Sequence, residues 1–484
     1  MALQVGILAL VEGRRLRRMG LQESGWNRLF LRQQGTGLLV YSLVIDSQRR
    51  LEPEHVRSAL AALQRQYPLL RARVERVDGA EHLVAGPCPD VPLAVLPPAR
   101  HWLAEHHRQL RHVHIDPAAE PLWKAALLHE PAGLAAAPTA APHRAVLYFC
   151  ICHSITDGSS NGLLLGRFLE NLDRLAAGGQ PDVSQTAPLP APVEELVKKQ
   201  PRPPLSLALA RAALRTMRVW YGRDQHPFLD RFVAPLDPDR PLESYWNQML
   251  PQVMSQPESE RLRALCRQHG VTMNAAVSAA VSLAAARLLA APGAPAGAVS
   301  PPVSLPTLWM VNMRRYLPEA RGVPMAGAGL LFDSVRVSRT DGDHFWQLAA
   351  QVRDQLNDHL DSRLLLKTIE PFYRGLSPPE KPPPPPTAPV PPRSKILYGI
   401  NNIGSLDTVF PRTVHVRAAE LHRTYRDHAT TSAFGSHCFQ TVAGRLCYDL
   451  NFVNGRAGPQ HAERFSREVM QVLREVVGDG QGGQ

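Results

Sequence analysis

Apolar positions along this chain recur with two periods. Short runs rich in β-branched and aromatic residues, bounded by turn residues, predict strands at 37–46 (GLLVYSLVID), 71–77, 122–129 and 145–152. Behind Pro53, a residue suited to a first helical turn, Val56, Leu60 and Leu63 repeat at helical spacing and predict a helix over 53–66. Residues 91–96 are weakly extended, 101–112 weakly helical, and 162–175 form an amphipathic helix. The chain before Gly37 opens on an uncertain first turn or two.

From 178 to 204 the composition shifts to Pro, Gln, Ala and Lys, which is linker chemistry. The expected organisation is therefore an N-terminal half (1–180), a linker or crossover (181–225) with a basic helix at 205–220, and a C-terminal half (226–477). The second half repeats the mixture. Helices are predicted at 258–269, ended by Gly270, at 274–289, capped by Thr272, and at 343–360 and 460–477. Strands are predicted at 306–312, 330–338, 396–401, 413–421, 437–443 and 445–452, the last two forming a hairpin about Ala443-Gly444. The fold class is α/β (α+β). The run KPPPPPTAPVPP inside 378–393 is polyproline-like and reads as an exposed loop insertion, with a ligand for a proline-recognising domain as its functional alternative. Residues 478–484 read as a disordered tail.

Composition narrows the partners. The 484 residues are 44% hydrophobic and 20% charged, enough for a sizeable core, and 54 Lys and Arg against 43 Asp and Glu give a formal charge of +11. That balance suits an anionic ligand such as a phosphorylated cofactor, an acidic carrier domain or a membrane surface, although scattered arginines also make an ordinary solvated basic surface. No nucleic-acid module accompanies it, so nucleic acid is set aside. Six cysteines at 88, 150, 152, 266, 438 and 447 make no disulfide framework, and a reducing, cytoplasmic setting is the simpler expectation. The apolar run at the N-terminus precedes its basic cluster, the reverse of a signal peptide, and no segment reads as transmembrane.

The chemistry concentrates at AVLYFCICHSITDGSSNGLLLGRFLENL, residues 145–172, where an apolar strand passes through a small polar elbow into a helix. Two reactions fit it. His153, in His153-x-x-x-Asp157-Gly158, sits just past the strand, where a neutral imidazole can act as general base. Ser160, in Gly158-x-Ser160-x-Gly162, could instead be a hydrolase nucleophile, with Asp407 and His422 or His437 as downstream partners. A third option, metal binding by Cys150, Cys152 and His153, lacks a further ligand cluster, so no metal is expected and the cysteines read as core.

The context of the motif resembles the chloramphenicol-acetyltransferase-like acyltransferases, a superfamily that includes alcohol acyltransferases, wax ester synthases, polyketide-associated acyltransferases and condensation domains of nonribosomal synthetases. The resemblance rests on PEHVRSALAALQRQYPLLRARVE, PLWKAALL and the strand–HSITDG–helix unit, then VTMNAAVSAAVSLAAARLL, Val311-Asn312-Met313-Arg314-Arg315 and Ile400-Asn401-Asn402-Ile403-Gly404, in family order from about 20 to 477. It implies two halves, each a mixed sheet with flanking helices, meeting at a central substrate tunnel. It further implies transfer of an acyl group from a thioester, most simply acyl-CoA as co-substrate with no tightly bound cofactor, to a small-molecule alcohol or amine. An acyl carrier protein is the alternative donor.

By the same resemblance His153 and Asp157 form the catalytic motif, Asp157 mainly by bonding Arg314 to fix the loop, and Gly158 allows close backbone packing. Asn402 and Gly404, with Cys152, would shape or polarise the substrate site. Two departures stand out. Many relatives have a His where this chain has Cys152, and the plant-type Asp-Phe-Gly-Trp-Gly motif is replaced by Asn451-Phe452-Val453-Asn454-Gly455. Three other readings stay open: a serine esterase using Ser160, carrier-dependent condensation, and a catalytically inactive binding homologue.

Overall fold

The computed structural model describes residues 9–478 except 12–13, 33–34, 88–89, 131–140, 185, 202–225, 236, 238, 242–243, 291–297, 341–343, 364, 377–395 and 428–431. The expected helix at 205–220, the proline-rich loop and almost all of the tail fall outside the described residues.

The strands in chain order are β1 (Ala9–Val11), β2 (Arg14–Arg18), β3 (Leu38–Ser47), β4 (Ala72–Val77), β5 (Ala80–Ala85), β6 (Leu93–Leu96), β7 (Trp123–His129), β8 (His143–Cys152), β9 (Asn247–Val253), β10 (Ala298–Asn312), β11 (Ala328–Arg339), β12 (Tyr398–Ser405), β13 (Val416–Tyr425), β14 (Gly435–Val442) and β15 (Arg445–Val453). The helices are α1 (Leu21–Arg32), α2 (Pro53–Gln66), α3 (Trp102–His112), α4 (Gly158–Ala176), α5 (Val193–Lys198), α6 (Pro227–Phe232), α7 (Gln256–Gln268), α8 (Met273–Leu289), α9 (Phe345–Asp361), α10 (Leu365–Leu376) and α11 (Pro459–Gly478).

Three sheets result. A small one runs β1-β2-β5-β4, the N-terminal one β13-β3-β8-β7-β6, and the C-terminal one β11-β10-β12-β14-β15-β9. The central strands β3 and β8 are buried almost throughout, which is why they read as near-continuous apolar runs rather than alternating ones. Helix α8, the alanine-rich run predicted as a helix at 274–289, is buried along nearly its whole length. No single helix among the described residues is long and apolar enough to cross a membrane.

The halves are not separate in sequence. Strand β13, from the C-terminal half, pairs antiparallel with β3 and so completes the N-terminal sheet. The segment that delivers it, 403–409, runs along α4, and three glycines one helical turn apart make room. A Cβ at Gly158 would lie 2.7 Å from Ile403 Cγ2, at Gly162 2.9 Å from Leu406 Cδ2, and at Gly166 2.7 Å from the Val409 carbonyl oxygen. Residues at i, i+4 and i+8 share a helix face, so the stripe lets the Ile403 and Leu406 side chains and the Val409 backbone rest directly on the helix backbone. Asp173 on the same helix accepts from the His415 and Val416 amides at 2.7 and 2.9 Å, seating the start of β13. Gly166→Ala meets backbone rather than a flexible tip, and should cost about 1–3 kcal/mol of stability, read as a lower urea midpoint. The expected linker also needs correcting at its start: Val193, Leu196 and Val197 of α5 pack into the C-terminal core, because an amphipathic turn inside linker-like composition still buries its apolar face.

A buried polar network ties β13 to the C-terminal sheet. His422 Nδ1 bonds Asp449 at 2.7 Å and its Nε2 bonds Glu420 at 3.1 Å. Arg423 Nε donates to Gln440 at 2.7 Å, and Gln440 Nε2 to Asp449 at 2.9 Å. Burial alone would depress the His422 pKa, but Asp449 and then Glu420 outweigh it and push it up to about 9. A histidine pKa raised in the fold adds stability that is complete below about pH 6.5 and is lost as pH rises through 9. The thermal midpoint should therefore fall between pH 6.5 and 9, and His422→Gln should flatten that limb.

Candidate active site

Strand β8 ends at Cys152, and the next residue turns out of the sheet. His153 N donates to Gly37 O at 2.9 Å, and its Nδ1 lies 2.7 Å from the Thr156 carbonyl oxygen. A carbonyl only accepts, so Nδ1 carries the proton and Nε2 the lone pair. Burial holds the imidazole below the ordinary histidine range, against opposing effects of the Thr156 bond and the Asp157 charge, and the ring is therefore neutral at pH 7. Its face lies against the indole of Trp26 on α1.

Asp157 caps α4, and the helix starts at Gly158, earlier than the periodicity suggested, because the cap lies inside the motif. Its Oδ1 accepts from the Ser160 amide at 2.8 Å, while Oδ2 accepts from Arg314 Nη1 at 2.7 Å and the Gly327 amide at 2.9 Å. Arg314 follows β10, and its other donors reach Ser160 Oγ at 2.7 Å and the Val323 and Met325 carbonyls. Asn312 Nδ2 donates to Ser159 Oγ at 2.9 Å. The first turn of α4 is thus clamped to the C-terminal half through Asp157, Ser159 and Ser160, and the expected pairing of Asp157 with Arg314 is present. Sequence separation of the clamp's two sides hid its extent; the partners at 323–327 carry no motif.

The hydrolase reading fails on geometry. Ser160 is fully buried, and its Oγ donates to Met325 O at 2.7 Å while accepting from Met325 N at 2.8 Å and from Arg314. No described histidine is bonded to it. Asp407 accepts the Ala443 and Gly444 amides, His422 is held by Asp449 and Glu420, and His437 bonds the Tyr448 hydroxyl. Cys152 also departs from expectation. It is 2% exposed in the N-terminal core beside Cys150, since residues two apart on a strand share a face. Among the described residues no group of three or more His, Cys, Asp or Glu is placed to hold a metal.

Asn402 and Gly404 lie at the end of β12, where pairing with β14 slips. Asn402 Oδ1 accepts the Gly404 amide at 2.9 Å, Gly404 has a φ of +81°, and Ile403 between them rests on Gly158. Only a residue without Cβ takes that φ without strain. The β12 terminus and the motif are therefore neighbours across the two halves.

Residues 251–451 match the family described as the phthiocerol/phthiodiolone dimycocerosyl transferase C-terminus. The matched segment lies in the C-terminal half and agrees with the resemblance to the chloramphenicol-acetyltransferase-like acyltransferases and condensation domains. The fold itself recurs in solved structures across nearly the whole length. Polyketide synthase associated protein 5 from Mycobacterium tuberculosis is 16% identical with a TM-score of 0.62, covering 96% of this chain and 98% of that one. The trichothecene 15-O-acetyltransferase TRI3 from Fusarium sporotrichioides is 11% identical with a TM-score of 0.68, covering 96% of each. The first condensation domain of the calcium-dependent antibiotic synthetase is 17% identical with a TM-score of 0.62, covering 96% and 97%. Nonribosomal peptide synthetase kk1B from Curvularia clavata is 26% identical over 463 residues, 93% of this chain; the chain spans 3% of that relative's length.

Proposed function

We propose that the protein transfers an acyl group from a thioester, with acyl-CoA as the soluble co-substrate, to the hydroxyl or amine of a small molecule. The observation that carries this reading is the division of labour in the motif. The described polar side chains from Thr156 to Asn161 are engaged in holding the loop, whereas the imidazole is held by Nδ1 and keeps Nε2 for a proton.

The acceptor O–H or N–H donates to Nε2. As its lone pair attacks the thioester carbonyl carbon, the proton passes to the ring; collapse of the tetrahedral intermediate breaks the C–S bond, and the thiolate takes that proton back. A thioester is activated already, so no acyl-enzyme is required. Asn402, its Oδ1 taken by Gly404, offers its amide N–H groups to the developing oxyanion. Arg314, Asp157 and Gly158 keep the loop and the β12 end in register.

A carrier-bound donor is the second reading, supported by the match of the synthetase relative to 93% of this chain. Thiol release from a panel of acyl-CoAs, with short alcohols and amines as acceptors, separates the two. Acceptor-dependent release supports the free-CoA donor. Release only from an acyl group loaded on a carrier protein moves the donor to the carrier, and ester hydrolysis without any acceptor requirement would overturn acyl transfer itself.

A further inference from the structure

Trp26 is marked by no motif, yet it touches the group on which the reaction depends. Its indole lies over the His153 imidazole with ring centroids 4.4 Å apart and planes inclined by 8°. Gly37 frames the pair. It has a φ of +90°, and a Cβ there would lie 3.0 Å from Trp26 Cε3 and 3.7 Å from His153 Cβ. Any larger residue would press on the stack.

The indole is itself held from both halves. It packs against the C-terminal core, and α1 is tied down at its first turn. There the Gln22 amide donates to Glu194 Oε1 of α5 at 2.5 Å, Gln22 Nε2 donates to Ala328 O of β11 at 3.1 Å, and Glu23 pairs with Arg17 at 2.6 Å. The imidazole is thus restrained at one edge by Thr156 O and over one face by an aromatic wall, and the opposite edge carries Nε2.

We propose that Trp26 is a positioning residue for acyl transfer: it fixes the His153 ring plane and stabilises the imidazolium that forms when Nε2 takes the acceptor's proton. This rests on His153 being the base. An indole face carries negative quadrupole charge and attracts a cation within about 6 Å of its centroid, while it gains little from a neutral ring. The cation exists only as the acceptor is deprotonated, so the contact is stronger in the transition state than in the ground state and acts on kcat rather than KM. Among the described residues, Asp157 is the charge that acts on the ring, and it is paired with Arg314; Trp26, Gly37 and Thr156, which touch or frame the ring, bring no charge.

The test compares Trp26→Leu, which keeps an apolar wall without the π face, with Trp26→Phe, which keeps the face. Steady-state kinetics are read beside an NMR titration of the free protein, following the imidazole resonance that His153→Ala removes. Trp26→Leu should lower kcat roughly three- to thirty-fold with KM nearly unchanged, and lower the imidazole pKa. Trp26→Phe should restore most of both. Equal losses in the two variants, a change confined to KM, or an unmoved imidazole pKa in Trp26→Leu would overturn the role of Trp26. Full turnover in His153→Ala would overturn the base assignment and the catalytic part of this proposal with it. An inactive His153→Ala with equal Leu and Phe variants removes the Trp26 role alone.

Discussion

His153→Ala is expected to lower kcat/KM for acceptor-dependent thiol release by about 10²–10⁴-fold while leaving the unfolding midpoint close to wild type. The chemical loss is large because the acceptor proton then has no positioned base, and water must remove it from a group that is not acidic at pH 7. The structural loss is small because the imidazole makes one local hydrogen bond and one stacking contact, and the loop is held by Asp157, Thr156 and Ser160 rather than by the histidine. The wild-type pH profile follows from the same geometry. Burial depresses the imidazole pKa, so kcat/KM should be flat at neutral pH and fall only on the acid side, with its inflection below the ordinary histidine value. Retention of more than a tenth of the activity in His153→Ala would remove the general base.

Arg314→Met is expected to cost about 3–5 kcal/mol of stability, because it strands the buried Asp157 carboxylate without its counter-ion. The pair is 2.7 Å apart with both side chains under a tenth exposed, and the guanidinium also serves Ser160 and two carbonyls. Pairing Arg314→Met with Asp157→Asn removes the uncompensated charge and should recover part of the stability. Turnover should not recover with it, since the amide cannot hold the first turn of α4 to the C-terminal half as the ion pair does. Urea denaturation and thiol release on the three variants check both statements. If Arg314→Met alone unfolds at the wild-type midpoint, the clamp is not what joins the halves here.

These two residues show why part of the site is legible in a string of letters. His153, Asp157, Gly158 and the start of α4 fall within six residues, and the strand before them and the helix after them announce themselves by periodicity. Arg314 was reachable only because its own segment resembles a known one. Trp26 had no such help: it lies in a stretch with no clear period, and its meaning comes from the ring it covers. Ser160 misled in the opposite direction. Its glycine-framed setting suits a nucleophile, and only the Met325 backbone and Arg314 show that its hydroxyl is already fully bonded.

What the sequence by itself determined are the local quantities: where most of the strands and helices lie, the His153-x-x-x-Asp157-Gly158 motif between β8 and α4, and the apolar runs of β3, β8 and α8. These depend on neighbours a few residues apart, where spacing is geometry. The tertiary structure alone decided which sheet β13 joins, which segment fills the Gly158-Gly162-Gly166 stripe, that the Cys152 side chain turns into the core, and what lies on the imidazole. A strand pattern states that backbone groups need partners without naming them, and the edges of both sheets offer the same hydrogen bonds. Only packing of the whole chain, with Asp173 seating β13 and the His422–Asp449 network holding its other face, makes one edge the better choice.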